Sequence, residues 1–174
     1  MRTFRRSFRP RVKRGFVWVA ASNDGFQTVA AGTKLIVPIA VLADGTLDTT
    51  LFRVRGFISI VPVQQASTRT AFWGAAALKI EGDKTVTVGT TAVASPYTEP
   101  LYDYLWFNYF AGDLAMPAAV TASDARIDYP IHVDAKAKRR LDDTDQLILT
   151  VENGGATDIS VWYGMRALFS SARR

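Results

Sequence analysis

The sequence contains no cysteine and a single histidine, His132. Without cysteine the chain can form no disulfide and offers no thiolate metal ligand, and a zinc site would need mostly carboxylate ligands. A catalytic triad could use only His132, which lies in an alternating segment beside Pro130, and no G-x-S-x-G motif occurs. We therefore interpret His132 as a structural residue and predict that the protein is not an enzyme and needs no cofactor.

Phosphate-loop motifs and long apolar runs are also missing. Neither G-x-x-x-x-G-K-[ST] nor G-x-G-x-x-G occurs, and Gly82-Asp83-Lys84-Thr85 lacks the upstream glycines, so we interpret it as a hairpin turn. No apolar run reaches the length of about 18 residues that a spanning helix needs. No secretory core follows the basic start. We expect neither a membrane span nor a membrane partner.

Positive charge is concentrated at the beginning of the chain. Seven of the 13 residues from Arg2 to Arg14 are basic and none is acidic. Because the chain has 21 basic and 16 acidic residues in total, the residues after Arg14 contain 14 basic and all 16 acidic ones. The net charge of +5 is thus +7 on residues 1–14 and −2 on the remainder. Such a single-sign block is typical of a tail that binds a polyanion.

We expect residues 1–14 to form an extended arm, because Pro10 removes a backbone donor and like charges repel one another. A nuclear-entry signal, a solvated tail or an expression tag would also be basic, but the charge density favours nucleic-acid binding. The arm offers nothing that fixes base-edge geometry, so we predict phosphate contacts without sequence specificity. The predicted nucleic-acid-binding residues are Arg2, Arg5, Arg6, Arg9, Arg11, Lys13 and Arg14.

The rest of the chain, residues 15–174, is predicted to be one β-rich domain. About eight or nine apolar or alternating segments are separated by Gly, Asn, Asp and Pro turn signals, which favours an all-β sandwich or barrel. The predicted strands are 16–22, 34–42, 51–63, 69–81, 85–88, 127–133, 146–152 and 158–170. Pro38 predicts an edge strand or a bulge, and Gly56 a bulge or a close backbone approach.

Two segments are candidates for short helices. Residues 101–110 place Leu101, Leu105 and Tyr109 at i, i+4 spacing and are compatible with a short helix or a strand, of which the helix is favoured. Residues 135–141 are predicted to form one helical turn. The first segment is dense in aromatic residues that could stack on bases, but packing in a core or a subunit interface is the favoured interpretation. These aromatic residues are Tyr102, Tyr104, Trp106, Phe107, Tyr109 and Phe110.

An acidic loop follows a second basic cluster. Asp142, Asp143 and Asp145 offer oxygen ligands that could hold Ca²⁺ at a subunit junction, but the EF-hand pattern is missing and a solvated turn is favoured. The basic cluster from Lys136 to Arg140 has two interpretations. It could contact nucleic acid, or it could pair with these aspartates across an interface.

The Arg-rich start MRTFRRSFRPRVKRGF, running directly into a body of about eight strands, resembles the single jelly-roll coat proteins of small icosahedral viruses. Satellite viruses and circovirus-like viruses with single-stranded DNA have coat proteins of this kind. The resemblance covers the entire chain and is architectural. It implies an eight-stranded antiparallel jelly-roll sandwich with an extended basic N-terminal arm and one or two short loop helices.

The resemblance also implies a function. Many copies, about 60 or a multiple, would assemble into a shell whose arms point inward and neutralise genomic DNA or RNA. In the smallest shell the arms would present about 420 positive charges. The expected location is the virion, and during assembly the host cell, including its nucleus. The alternative is a non-assembling nucleic-acid-binding β-barrel, such as a chaperone or a single-strand binder.

Overall fold

Ten strands, and no helix, occur in the part of the chain that the computed structural model describes, which is residues 15–39, 47–63, 70–82, 89–92, 104–114 and 126–173. No helix that could cross a membrane is therefore found among these residues. In chain order the strands are β1 Gly15–Ser22, β2 Gln27–Val29, β3 Thr33–Ile39, β4 Leu47–Pro62, β5 Thr70–Glu81, β6 Gly89–Ala92, β7 Tyr104–Leu114, β8 Ile127–Leu141, β9 Gln146–Asn153 and β10 Ile159–Arg173.

The strands form two antiparallel sheets. Sheet A has the order β1-β10-β4-β8, with β2 also paired to β10, and sheet B has the order β6-β3-β9-β5-β7. Consecutive long strands such as β4 and β5, or β8 and β9, belong to different sheets. The predicted all-β class is confirmed. The described strands form two sheets, as in a β-sandwich.

One hydrophobic core lies between the two sheets. In β10 the alternate residues Val161, Tyr163, Met165, Ala167 and Phe169 are all buried, as expected for one face of the predicted strand at 158–170. From sheet B the same core receives the alternate apolar side chains of β3 and β9, namely Leu35, Val37, Ile39, Leu147, Leu149 and Val151. An alternation of period two therefore decides which side chains enter the core.

Register shifts keep this pattern intact in the long strands of sheet A. The pairing of β10 with β4 shifts between Leu168 and Phe169, and the pairing of β4 with β8 shifts between Leu51 and Arg53. Leu51 and Phe169 are both fully buried as a result, while Arg53 lies on the solvent side. Without the shifts, the ends of these strands would turn their apolar side chains outwards.

Two asparagines fix the turns around the core. The side-chain amide of Asn153, which is fully buried, donates to the carbonyls of Val29 (3.0 Å) and Thr157 (2.9 Å). Asn23 donates to the carbonyl of Val161 (3.0 Å) and accepts from the backbone N–H of Tyr163 (2.9 Å). Both residues begin Asn-containing turn signals in the sequence, and their side chains tie neighbouring strands together.

Both predicted helices are wrong. Residues 104–114 form β7, in which Phe110 enters the core while Phe107 and Tyr109 lie on the other face, because aromatic residues suit a pleated surface. Residues 135–141 continue β8, where Arg139 and Arg140 pair with Leu51 and Thr50 of β4. The predicted strand at 85–88 lies outside the described residues. The short strands β2 and β6 are not predicted by the pattern, because three or four residues are too few for an alternation to be recognised.

Gly56 lies where β4 approaches β10 closely. A Cβ atom at Gly56 would come within 2.6 Å of the Met165 Cβ, so that the backbone itself would have to move. We predict that Gly56→Ala lowers the free energy of unfolding by about 1–3 kcal/mol, the usual cost of overpacking. Gly25→Ala is the matched control, because a Cβ there meets no atom within 4 Å. Denaturant titration of both variants is the measurement, and equal stabilities of the two would contradict this account.

Candidate nucleic-acid interface

All seven basic residues of the predicted arm lie outside the described residues. Gly15 is the first described residue and the first residue of β1. It pairs with Ser171 at the edge of sheet A. The arm is therefore covalently joined to one corner of this sheet. Among the described residues, the surface next to that corner is therefore the candidate for a nucleic-acid interface.

The face of sheet A that points away from sheet B, which we call the outer face, has an unusual composition. Alternate positions of its four strands carry aromatic rings, arginines and aspartates. These residues are Phe16 and Trp18 of β1, Trp162 and Arg166 of β10, Phe52, Arg53, Arg55 and Phe57 of β4, and Asp128, His132, Asp134 and Arg140 of β8.

Two aromatic rings of β1 are largely open to solvent. Phe16 is 60% exposed and meets Phe52 edge to face at a centroid distance of 5.4 Å. Trp18 is 46% exposed and contacts no other ring among the described residues. The guanidinium of Arg166 lies 5.0 Å from the Trp18 ring centroid, a cation–π contact.

Trp162, on the neighbouring strand, is more enclosed. Phe57 packs edge to face against it at 5.2 Å, Phe26 lies at 6.0 Å, and the guanidinium of Arg126 is 5.6 Å from its ring centroid. This group of rings leaves the indole half-buried. It stabilises one end of the outer face rather than offering a free ring.

The arginines of the outer face differ in how their charges are compensated. Arg140 pairs with Asp48 (2.7 Å) and Arg126 with Asp128 (2.7 Å), one carboxylate for each guanidinium. Arg53 (2.8 Å) and Arg55 (2.9 Å) share the single carboxylate of Asp134.

Arg166 has no carboxylate partner among the described residues. Among the described side chains, and with Arg126 directly before β8 included, five guanidinium groups therefore face three carboxylates, and the excess positive charge lies around Arg53, Arg55 and Arg166.

The acidic partners are held in their ionised form. Hydrogen bonds from Arg126 and then from Ser59 lower the pKa of Asp128 below its ordinary value, against a small opposing effect of burial. A hydrogen bond from Arg55 is the main cause that lowers the pKa of Asp134. Both carboxylates therefore remain charged, and keep the arginines in place, well below neutral pH.

The opposite surface, the outer face of sheet B, is apolar and balanced in charge. Lys34 pairs with Glu152 (2.8 Å), and the buried Lys79 pairs with Glu81. Aromatic rings of β7 cover the small alanines of β5, because Tyr109 is opposite Ala75 in the register and Phe107 is opposite Ala77. This surface has no excess of positive charge among its described ion pairs and is a poor candidate for binding phosphates.

The aromatic segment around β7 divides between the two sides of sheet B. Phe110 is buried in the core, and Trp106 is partly buried and packs against the core cluster. Tyr104, Phe107 and Tyr109 form a chain of ring contacts on the outer face of sheet B, with centroid distances of 5.2 and 4.6 Å. Tyr102 lies outside the described residues. Among the described ring contacts of this segment, each joins two aromatic side chains.

The acidic loop is a tight turn between β8 and β9. The Asp145 carboxylate accepts the backbone N–H of Asp142 (2.8 Å), and the Asp145 N–H donates to the Asp142 carbonyl (3.2 Å). No group of three metal-binding side chains, the Asp142, Asp143 and Asp145 set included, is found among the described residues. In the basic cluster, Arg140 pairs with Asp48 rather than with these aspartates.

Most of the outer face cannot be identified from the sequence. The alternation in 51–63 does place Arg53 and Arg55 together on the polar side of their strand, and this was the available signal. Trp18 and Arg166 are 148 positions apart in the chain, and their contact depends on the pairing of β1 with β10.

No protein-family model matches the chain, and no curated protein matches it in sequence.

We predict that acid destabilises the protein in part through Asp128. Because its pKa is lowered in the folded state, its contribution is present above the unfolded pKa, near 3.8, and is lost as the pH falls through the lower folded pKa. Between about pH 4 and 2, the unfolding free energy of Asp128→Asn should fall less than that of the wild type. The difference should be a few tenths to 1 kcal/mol, the range of an exposed ion pair.

The measurement is denaturant unfolding at a series of pH values, with Asp143→Asn in the exposed turn as control. The same pH dependence in Asp128→Asn and the wild type would show that this ion pair adds nothing to acid sensitivity.

Proposed function

We propose that the protein is the coat protein of a small icosahedral virus, a single jelly roll that assembles into a shell and packages nucleic acid through its Arg-rich arm. The proposal assigns it a structural role without catalysis or cofactor. Its main partner is a large number of its own copies, about 60 or a multiple. Its second partner is genomic DNA or RNA, bound without sequence specificity in the virion, with assembly in the host cell or its nucleus.

The strand order is the observation that carries the proposal. Apart from the short strands β2 and β6, sheet A has the order β1-β10-β4-β8 and sheet B the order β3-β9-β5-β7. Eight antiparallel strands divided in this way between two four-stranded sheets fit a jelly roll, an architecture used by viral capsids and also by lectins and cupins. Because one architecture serves several functions, the fold alone does not decide between them.

The arm favours the coat protein among these functions. A segment with a charge of +7 precedes β1, while the residues that follow Arg14 carry a net charge of −2. A slightly acidic body does not attract polyanions strongly, so most of the predicted affinity resides in the arm. Neutralising phosphates with such arms releases counterions, which favours packaging of any sequence. The folded part then remains free to contact neighbouring subunits.

A second candidate is supported by the exposed rings of the outer face of sheet A. Exposed rings such as Phe16 and Trp18, the latter in contact with Arg166, are the kind of surface on which single-strand-binding proteins stack bases. A nucleic-acid-binding β protein that does not assemble would need only this surface and the arm. The two candidates differ in their state of association.

Assembly is directly observable. We predict that the purified protein forms uniform closed particles, seen by negative-stain electron microscopy and as one fast boundary in analytical ultracentrifugation. Nucleic acid should promote their formation, because it neutralises the mutual repulsion of the arms. If only monomers sediment over a range of salt concentrations, with and without nucleic acid, the coat-protein proposal is wrong and the second candidate is favoured.

The arm can be tested separately from the body. Replacing Arg5, Arg6, Arg9 and Arg11 by Ala should weaken binding to a single-stranded oligonucleotide. It should also flatten the plot of log affinity against log salt by about 3, since about 0.7 counterions are released for each phosphate contact. The unfolding free energy should change little.

The control variant carries Lys at the same four positions and should retain the salt slope. Fluorescence anisotropy over about 50 to 400 mM salt measures the slope. An unchanged slope in the Ala variant would mean that the arm does not contact phosphates.

A further inference from the structure

The register of sheet A places two arginines and a histidine, on three adjacent strands, in one row across the outer face. Arg166 of β10 is directly opposite Arg55 of β4, and Arg55 is directly opposite His132 of β8. Directly opposed side chains on one sheet face have Cβ atoms about 5 Å apart, and like charges at that spacing, such as those of Arg166 and Arg55, destabilise a sheet. The arginine pair therefore costs stability, which indicates a role outside folding.

The nearest carboxylate does not fully compensate this row. Asp134 is shared between Arg53 and Arg55, and Arg166 has no carboxylate partner among the described residues. The other arginines of the face, Arg126 and Arg140, each have a carboxylate partner at 2.7 Å. Positive charge is thus focused at the centre of the face, where an anion would be attracted most strongly.

An open aromatic ring lies beside the row. Trp18 is opposite Leu168 in the register, one position along the face from Arg166, whose guanidinium covers part of the ring at 5.0 Å. Nearly half of the Trp18 side chain is exposed. Trp18 and Arg166 are in contact, as the base and the phosphate of one nucleotide are near neighbours. One nucleotide can therefore place its base on Trp18 and its phosphate on the row.

We propose that the outer face of sheet A is a binding site for single-stranded nucleic acid, with the phosphate on Arg166, Arg55 and His132 and a base stacked on Trp18. This inference rests on the proposed function and extends it from the arm to the folded body. Base stacking on a tryptophan is tolerant of sequence, as packaging requires. The first residue of the site, Trp18, is three residues after Gly15, where the arm joins β1, so one strand of nucleic acid can contact both.

Two other occupants fit the charges less well. The arm, with its charge of +7, would meet the excess positive charge of the row. A second copy bound through the same face by a two-fold axis that passes through the row would bring Arg166 and Arg55 against the same arginines of its partner. A polyanion is the occupant that relieves the repulsion within the row.

The test uses the full chain and a fluorescein-labelled 20-residue oligo(dT) or oligo(U). Trp18→Ala should lower affinity about tenfold at every salt concentration without changing the salt slope, because stacking releases no counterions. Trp18→Phe should retain most of the affinity. Arg166→Gln should lower the slope by about 0.7 to 1, the value for one phosphate contact, and Arg166→Lys should not.

Tyr109→Ala is the matched control, because Tyr109 is 51% exposed on the outer face of sheet B, which has paired charges. The affinity of Tyr109→Ala for the oligonucleotide should equal that of the wild type. Circular dichroism and denaturant unfolding check that each variant is folded. Photocrosslinking to an oligonucleotide that contains 5-iodouracil gives a second measurement, in which the peptide containing Trp18 should be labelled and that containing Tyr109 should not.

The outcomes separate this inference from the proposed function. If Trp18→Ala and Arg166→Gln bind like the wild type, and crosslinks fall only within residues 1–14, the arm binds nucleic acid and the outer face does not. If crosslinks fall on Tyr109, nucleic acid binds the outer face of sheet B and the proposed site on sheet A is wrong. If the wild-type protein binds no oligonucleotide at any salt concentration, both this site and the packaging function are wrong. If the variants lose oligonucleotide affinity and the wild-type protein forms no particles, the site is supported and the shell is wrong.

Discussion

The position of β10 between β1 and β4 is the constraint on which the rest of the structure depends. This strand pairs with β1 and β2 on one side and with β4 on the other, so every other strand of sheet A except β8 is held through it. Its alternation supplies one face of the core, from Ile159 to Phe169. The intervening residues, Trp162 and Arg166 among them, lie on the outer face. Core packing and surface chemistry are thus set by one pattern of period two.

The two outer faces show how similar strands can give different surfaces. On sheet B the described lysines are paired one to one with glutamates, and alanines of β5 make room for the rings of β7. On sheet A two arginines share one aspartate and a third lies on a tryptophan. The first arrangement compensates its charges internally. The second leaves positive charge that a ligand can neutralise, and its ionised aspartates hold the arginines in position over a wide pH range.

Some of this could be predicted from the sequence and some could not. The strand at 158–170 was predictable because burial on one face leaves a local alternation. In 146–152 the residues Leu147, Leu149 and Val151 show the same alternation, although residues 147–151 are buried on both faces of the strand. Residues 104–110 were not, because aromatic residues at i, i+4 spacing also satisfy a strand, and only the packing of Phe110 in the core decides between the two. Residues 135–141 carry a helix-forming composition that the pairing with β4 overrides. The arm is evident from charge alone, whereas the row of Arg166, Arg55 and His132 exists only once three distant strands are aligned.

The central place of β10 also has a consequence for biosynthesis. Of the ten described strands, β10 is the last to leave the ribosome, yet β1 and β4 have no direct pairing with each other and meet only through it. Sheet A therefore cannot be completed on a nascent chain that ends before β10, and its closure is a late, long-range event of the kind that folds slowly. The seven basic residues between Arg2 and Arg14 precede every described strand, so they are synthesised before sheet A can close. The alignment of Arg166 with Arg55 exists only after β10 has paired with β4.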